Sequence, residues 1–130
     1  MTEKQDKTIA LDNGLTLEIH DQSRLVAGDR WLVRLEARID VPIELKQIES
    51  IAEKDKIIAT LKKAFGESIP YRYAVEKNFV DHDLKHEVFQ RFLETLEQNT
   101  FSYLSHPDFR KRLTMSKYRE LKVKSPQLFQ

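Results

Sequence analysis

The chain has 130 residues, 40% of them hydrophobic, enough for one core that removes roughly two-thirds of the unfolded surface from water. Its 22 Lys and Arg nearly cancel 21 Asp and Glu, so a net charge of +1 exerts no overall pull toward nucleic acid or anionic lipid. The absence of cysteine excludes disulfides, a thiolate nucleophile and thiolate-held metal clusters. Met1 to Lys7 is polar and no run nears the roughly 20 apolar residues that span a bilayer, so a cytoplasmic location without a membrane partner is expected.

The elements follow in chain order. Asn13-Gly14 separates Thr8–Leu11 from Leu15–Ile19, and Asn-Gly between short apolar runs marks a hairpin because both residues tolerate positive φ. Arg24-Leu25-Val26 extends the second strand beyond an irregular Asp21-Gln22-Ser23 segment, read as a bulge. From Trp31 to Val41 the alternation is near-strict: odd positions are apolar, while Arg34, Glu36, Arg38 and Asp40 take the even ones from 34 onward, which is a long strand with one buried face. Ser50-Ile51-Ala52-Glu53 has the form of a capping box, and Ile57, Ile58, Leu61, Ala64 and Phe65 make the apolar stripe of a helix over 50–65 that Gly66 stops. Tyr71, Tyr73, Val75 and Phe79 alternate with Arg72, Glu76 and Asn78 in a fourth strand.

A second helix is expected from Asp81 or Asp83 to about Tyr103, with Leu84, Val88, Phe89, Phe92, Leu93 and Leu96 as its apolar arc. Ser105-His106-Pro107-Asp108 starts a shorter third helix that carries Phe109, Leu113 and a basic cluster. The order βββαβαα predicts an α+β fold: a four-stranded, mainly antiparallel sheet, with two longer helices on the face of Trp31, Val33, Leu35, Ile39, Tyr73 and Val75. A crossover through the first helix leaves a mixed sheet open, with the third and fourth strands parallel. One domain over residues 1–123 and a mobile tail at 124–130 complete the reading.

Three clusters carry candidate chemistry. His82 and His86, four apart on a helix, project to one side and with Asp83 could hold a divalent metal, although an acidic helix start explains the same residues. Arg34, Arg38 and Arg72 on the open sheet face could grip an anion, or pair with Glu36, Asp40 and Glu76 beside them. From Ser105 onward seven basic residues face two acidic ones, a net +5 that leaves −4 for the rest. Arg110, Lys111, Arg112, Lys117 and Arg119 are the contact candidates there, toward a protein or, with Phe109, Tyr118 and Phe129 stacking on bases, toward nucleic acid. No glycine-rich phosphate loop and no nucleophile elbow occurs. The expected function is therefore a non-enzymatic protein-interaction or regulatory module without a cofactor, its partner another protein or a second copy. The alternatives are a nucleic-acid-binding accessory protein or a metal site at His82 and His86.

Overall fold

The computed structural model describes residues 6–44 and 52–124. Five strands, β1 (Lys7–Ala10), β2 (Thr16–Asp21), β3 (Arg24–Ala27), β4 (Arg30–Pro42) and β5 (Ser68–Asp81), form one sheet, which with its helices makes the fold α+β. Contacts divide the chain into two compact units, one holding residues 6–39 and 71–106, the other 40–44, 52–70 and 107–124 of the described residues.

In the first unit Asn13 and Gly14 make the expected turn. Gly14 sits at φ 86, its N–H donates to the Leu11 carbonyl (3.0 Å), and the Asn13 carboxamide oxygen accepts the Leu15 N–H (3.2 Å). β1 then pairs antiparallel with β2, Lys7 opposite Ile19 and Ala10 opposite Thr16. β2 pairs with β4 from Glu18 opposite Arg38 to Asp21 opposite Leu35, and β3 continues on the same edge with Arg24 opposite Leu32 and Leu25 opposite Trp31. The register does not slip across the interruption. Gln22 N–H still donates to the Arg34 carbonyl (2.9 Å), and at Ser23 the side chain replaces the main chain, Oγ accepting the Arg34 N–H at 3.1 Å. Asp21 Oδ1 accepts the Ser23 N–H (3.0 Å) and fixes that kink. The irregularity foreseen at residues 21–23 is thus a side-chain-for-backbone exchange in one strand line.

β5 occupies the opposite edge of β4 and runs antiparallel to it. His82 N–H donates to the Asp29 carbonyl near one end of the pairing, and Ile43 N–H donates to the Glu67 carbonyl near the other, both at 3.0 Å. The parallel alternative is therefore not adopted, and the strand count is five because β3 stands apart from β2.

Leu17, Ile19, Val33, Leu35, Ala37 and Ile39 are at most 1% exposed, as their alternation requires, and Val88, Phe89, Leu93 and Leu96 supply the buried face of the helical layer. That layer starts as a 3₁₀ turn (His82–Leu84), becomes α2 (Lys85–Thr95), passes through a π-helical segment (Leu96–Thr100) and ends as α3 (Phe101–Leu104), an unbroken run over the span predicted for the second helix. Its C-terminal carbonyls would be orphaned, but the Asn13 amide donates to Leu104 O (2.8 Å) and His106 O (3.1 Å) and ties the first hairpin to this end.

The predicted inner face of β5 needs correction. Tyr73 is 37% exposed, Val75 is only half-buried, and Phe79 is 74% exposed. Phe79 has φ 58, a left-handed conformation that breaks the two-residue alternation, so Val80 turns inward in its place. An alternating pattern tells which side chains share a face; whether that face is covered depends on what packs there.

In the second unit α1 (Lys54–Phe65) packs against α4 (Phe109–Lys124). Helix α1 starts later than the capping box implies. Glu53 is left-handed at φ 63 and so stands before the helix, whose first bond runs from Ile57 N–H to the Glu53 carbonyl (3.0 Å). Ser50 and Ile51 lie outside the described residues. Gly66 ends the helix at φ 82, its N–H on the Lys62 carbonyl (2.8 Å). Ile57, Thr60 and Leu61 are its buried residues, and Phe109, Leu113, Thr114 and Tyr118 are those of α4. At 16 residues α4 is longer than α1, not the short helix expected, and it reaches Lys124. The predicted tail lies otherwise outside the described residues.

Phe79 offers a direct check. A bulky residue in the left-handed region costs roughly 1 kcal/mol or more, and this one buries little. Phe79→Asn, which accepts that backbone, is expected to raise unfolding stability by about 0.5–1 kcal/mol in thermal or urea denaturation; a loss of stability would mean that the ring contributes packing.

Candidate functional site: an uncompensated basic face on α4

The three candidate clusters differ in how their charges are satisfied. Around the histidines, His82 lies in the 3₁₀ turn with its ring centroid 5.8 Å from that of Trp31. Lys85, 7% exposed, places Nζ 3.8 Å above the Trp31 ring, a cation–π contact that burial strengthens. Asp81 pairs with Arg30, and Asp83 and His86 are exposed. Among the described residues no three His, Asp or Glu side chains converge as a metal site would need. His82 and Lys85 both lie against the Trp31 ring.

On the open sheet face Arg34 and Arg38 are committed to carboxylates. Arg34 spreads its guanidinium over three neighbours: Nε donates to Gln22 Oε1 (2.7 Å), Nη1 to Glu76 Oε1 (2.8 Å), and Nη2 lies 3.8 Å from Glu36 Oε2. Arg38 Nε hydrogen-bonds Glu36 Oε1. Glu36 is 8% exposed, and the Arg38 hydrogen bond, then the charge of Arg38, a hydrogen bond from Gln22 and the charge of Arg72 hold its carboxyl below its ordinary value against the opposing effect of burial. Arg34 and Arg38 thus neutralise a nearly buried carboxylate. On the other face of β5, Tyr71, Tyr73 and Tyr103 lie close together, and burial first, then the two other tyrosines, push the Tyr71 hydroxyl up.

The C-terminal basic residues divide. Arg110 is turned toward Glu44 (3.7 Å) and its side chain is 17% exposed. Lys117 and Lys124 both hold Glu120, at 3.1 and 3.3 Å, and depress its carboxyl. Lys111, Arg112 and Arg119 form no ion pair among the described residues. They fall on one stripe of α4, three to eleven residues beyond Asp108, and with Asp108 and Met115 line an open depression of about 300 Å³. The aromatics assigned to base stacking face the other way: Phe109 is 0% and Tyr118 4% exposed. Phe129 lies outside the described residues.

This division was available from helical spacing. Once 109–124 is read as one helix, Phe109, Leu113 and Tyr118 share its inner side, and Lys111, Arg112, Met115 and Arg119 the outer. Capture of Arg110 by Glu44 was not legible, since it depends on the tertiary position of residue 44. No helix among the described residues is long and apolar enough to cross a membrane. Compared with known protein families, with curated proteins and with solved structures, the chain gives no match.

Glu36 makes the electrostatics measurable. Its carboxyl is depressed in the folded state, so its contribution is present above the ordinary carboxyl value near 4.5 and is lost as pH falls through the lower folded value. Glu36→Gln is expected to lose about 1–2 kcal/mol at neutral pH. The gap to the parent protein should narrow as pH falls below the ordinary value near 4.5, read from urea unfolding at a series of pH values. A gap independent of pH would show that the carboxylate charge is not what matters.

Proposed function

We propose that the protein is a non-enzymatic interaction module whose outer α4 face receives an acidic segment of a partner protein. The observation that carries this reading is the separation of its cations: Lys111, Arg112 and Arg119 share one concave face and have no carboxylate partner among the described residues, whereas Arg34, Arg110, Lys117 and Lys124 are each matched by a carboxylate. Three like charges on one face raise the local potential for an anion and hasten its arrival at low salt. Met115 lines the depression beside the cations, and their aliphatic stems suit a peptide that brings both carboxylates and methylene groups.

The same geometry disfavours the nucleic-acid alternative. Sequence-tolerant binding of single strands uses aromatic platforms, and the α4 aromatics among the described residues are inside the core. Three cations, one bordered by Asp108, also make a small phosphate-binding footprint.

Fluorescence anisotropy with a labelled Asp/Glu-rich peptide tests the proposal. Binding should weaken steeply with added salt, and Lys111→Ala, Arg112→Ala and Arg119→Ala combined should raise Kd by roughly tenfold or more. Lys117→Ala, which removes an ammonium already held by Glu120, should leave Kd within about twofold. Peptide binding indifferent to the triple change would overturn the assignment; tighter binding of a single-stranded oligonucleotide, lost in the triple variant, would replace it with the nucleic-acid reading.

A further inference from the structure

Strand β5 keeps one hydrogen-bonding edge on β4, and among the described residues no strand pairs with the other edge. From Arg72 to Phe79 every residue except Val75 is exposed. An edge of this length templates pairing with another chain unless proline, an inward charge or a covering element blocks it. The 71–79 segment contains no proline, and Lys77, its one charge on the Tyr73 side, lies outside residues 72–76.

We propose that this free edge pairs antiparallel with the same edge of a second copy of the chain, Ala74 meeting Ala74 on a two-fold axis, so that one sheet continues across a dimer. A two-fold axis perpendicular to a sheet keeps each face on its own side, so the register is set by the residue that lies on the axis. With Ala74 there, Arg72 stands opposite the partner copy's Glu76 and Glu76 opposite the partner copy's Arg72. On the other face Tyr73 meets Val75, an aromatic against a β-branched side chain, which is a favourable cross-strand pair. An axis through Arg72 sets that arginine against itself, and one through Glu76 does the same to the glutamate. Axes through Tyr73 or Val75 leave Arg72 opposite an uncharged residue. The Ala74 register alone matches both charges.

The side chains are already arranged for this register. Arg72 forms no ion pair among the described residues, while Glu76 holds Arg34 and Arg34 approaches Glu36. Pairing carries that row of alternating charge across the dimer axis. Tyr73, on the edge strand itself and 37% exposed, supplies the rigid amphipathic area in which protein interfaces are enriched. The dimer uses β5 and is independent of the acidic-segment proposal for α4.

Charge exchange between copies tests both the dimer and its register. Sedimentation velocity of the full chain should show a dimer. Arg72→Glu places glutamates opposite one another and Glu76→Arg places arginines opposite one another, so each variant alone should dissociate with Kd raised roughly tenfold or more. An equimolar mixture of the two restores both opposite-charge pairs and should sediment as a heterodimer. Circular dichroism of each variant, matching the parent, separates loss of pairing from loss of fold. A parent chain that sediments as a monomer, or folded single variants that remain dimeric, would overturn the proposal. A folded mixture that stays monomeric would overturn the register.

Discussion

Strand β4 is hydrogen-bonded along both edges, by β2 and β3 on one side and by β5 on the other, and the sheet is built around it. A doubly bonded central strand must have its backbone groups satisfied throughout, because a buried N–H or C=O without a partner costs about as much as a lost hydrogen bond. Ser23 shows how strict the requirement is. Where the chain kinks between β2 and β3, the hydroxyl takes over the Arg34 N–H, so β3 enters in the register of β2, which shifts only between Leu25 and Ala27. The odd-numbered side chains of β4 are correspondingly closed off, with Val33, Leu35, Ala37, Ile39 and Val41 at 0% exposure.

The even-numbered side chains explain why a sheet face rich in arginine is not an anion site. Glu36 is nearly buried, and a carboxylate in that position needs cations and hydrogen-bond donors around it. Arg38, Arg34, Gln22 and Arg72 provide them, and Glu76 takes the remaining arm of Arg34. The charges of Arg34 and Arg38 are consumed internally. On α4 the balance is different: Glu120 and Glu44 hold three of the cations, and Lys111, Arg112 and Arg119 are left facing solvent around Met115. A net charge of +1 conceals both arrangements, since it averages a neutralised network with an uncompensated face.

Much of the fold was legible because two-residue and helical periodicities report directly on burial. The β4 alternation, the Asn13-Gly14 turn, the irregularity at residues 21–23 and the Gly66 stop each follow from local chemistry, and each is present. β5 misled over Tyr73 and Val75, which carry the alternation of β4 without its cover, and over Phe79, which adopts a positive φ that no periodicity announces. The start of α1 misled for a similar reason: Glu53 has the residue type for a capping box but a left-handed backbone. At the candidate site, which basic residues lie on the outer stripe of α4 was readable from spacing alone. Which of them are neutralised was not, because Glu44 lies 66 residues from Arg110 in the chain and only the folded structure brings the two within reach.

β4 is the element stabilised from both sides, and residue-resolved amide hydrogen exchange measures that most directly. Amides of Val33 to Ile39 should be the slowest in the sheet, exchanging only through global opening, while within 72–79 of β5 the amides pointing away from β4 should exchange faster in the monomeric Arg72→Glu variant. Slow exchange along β5 in that monomer together with fast exchange in β4 would contradict the central position assigned to β4.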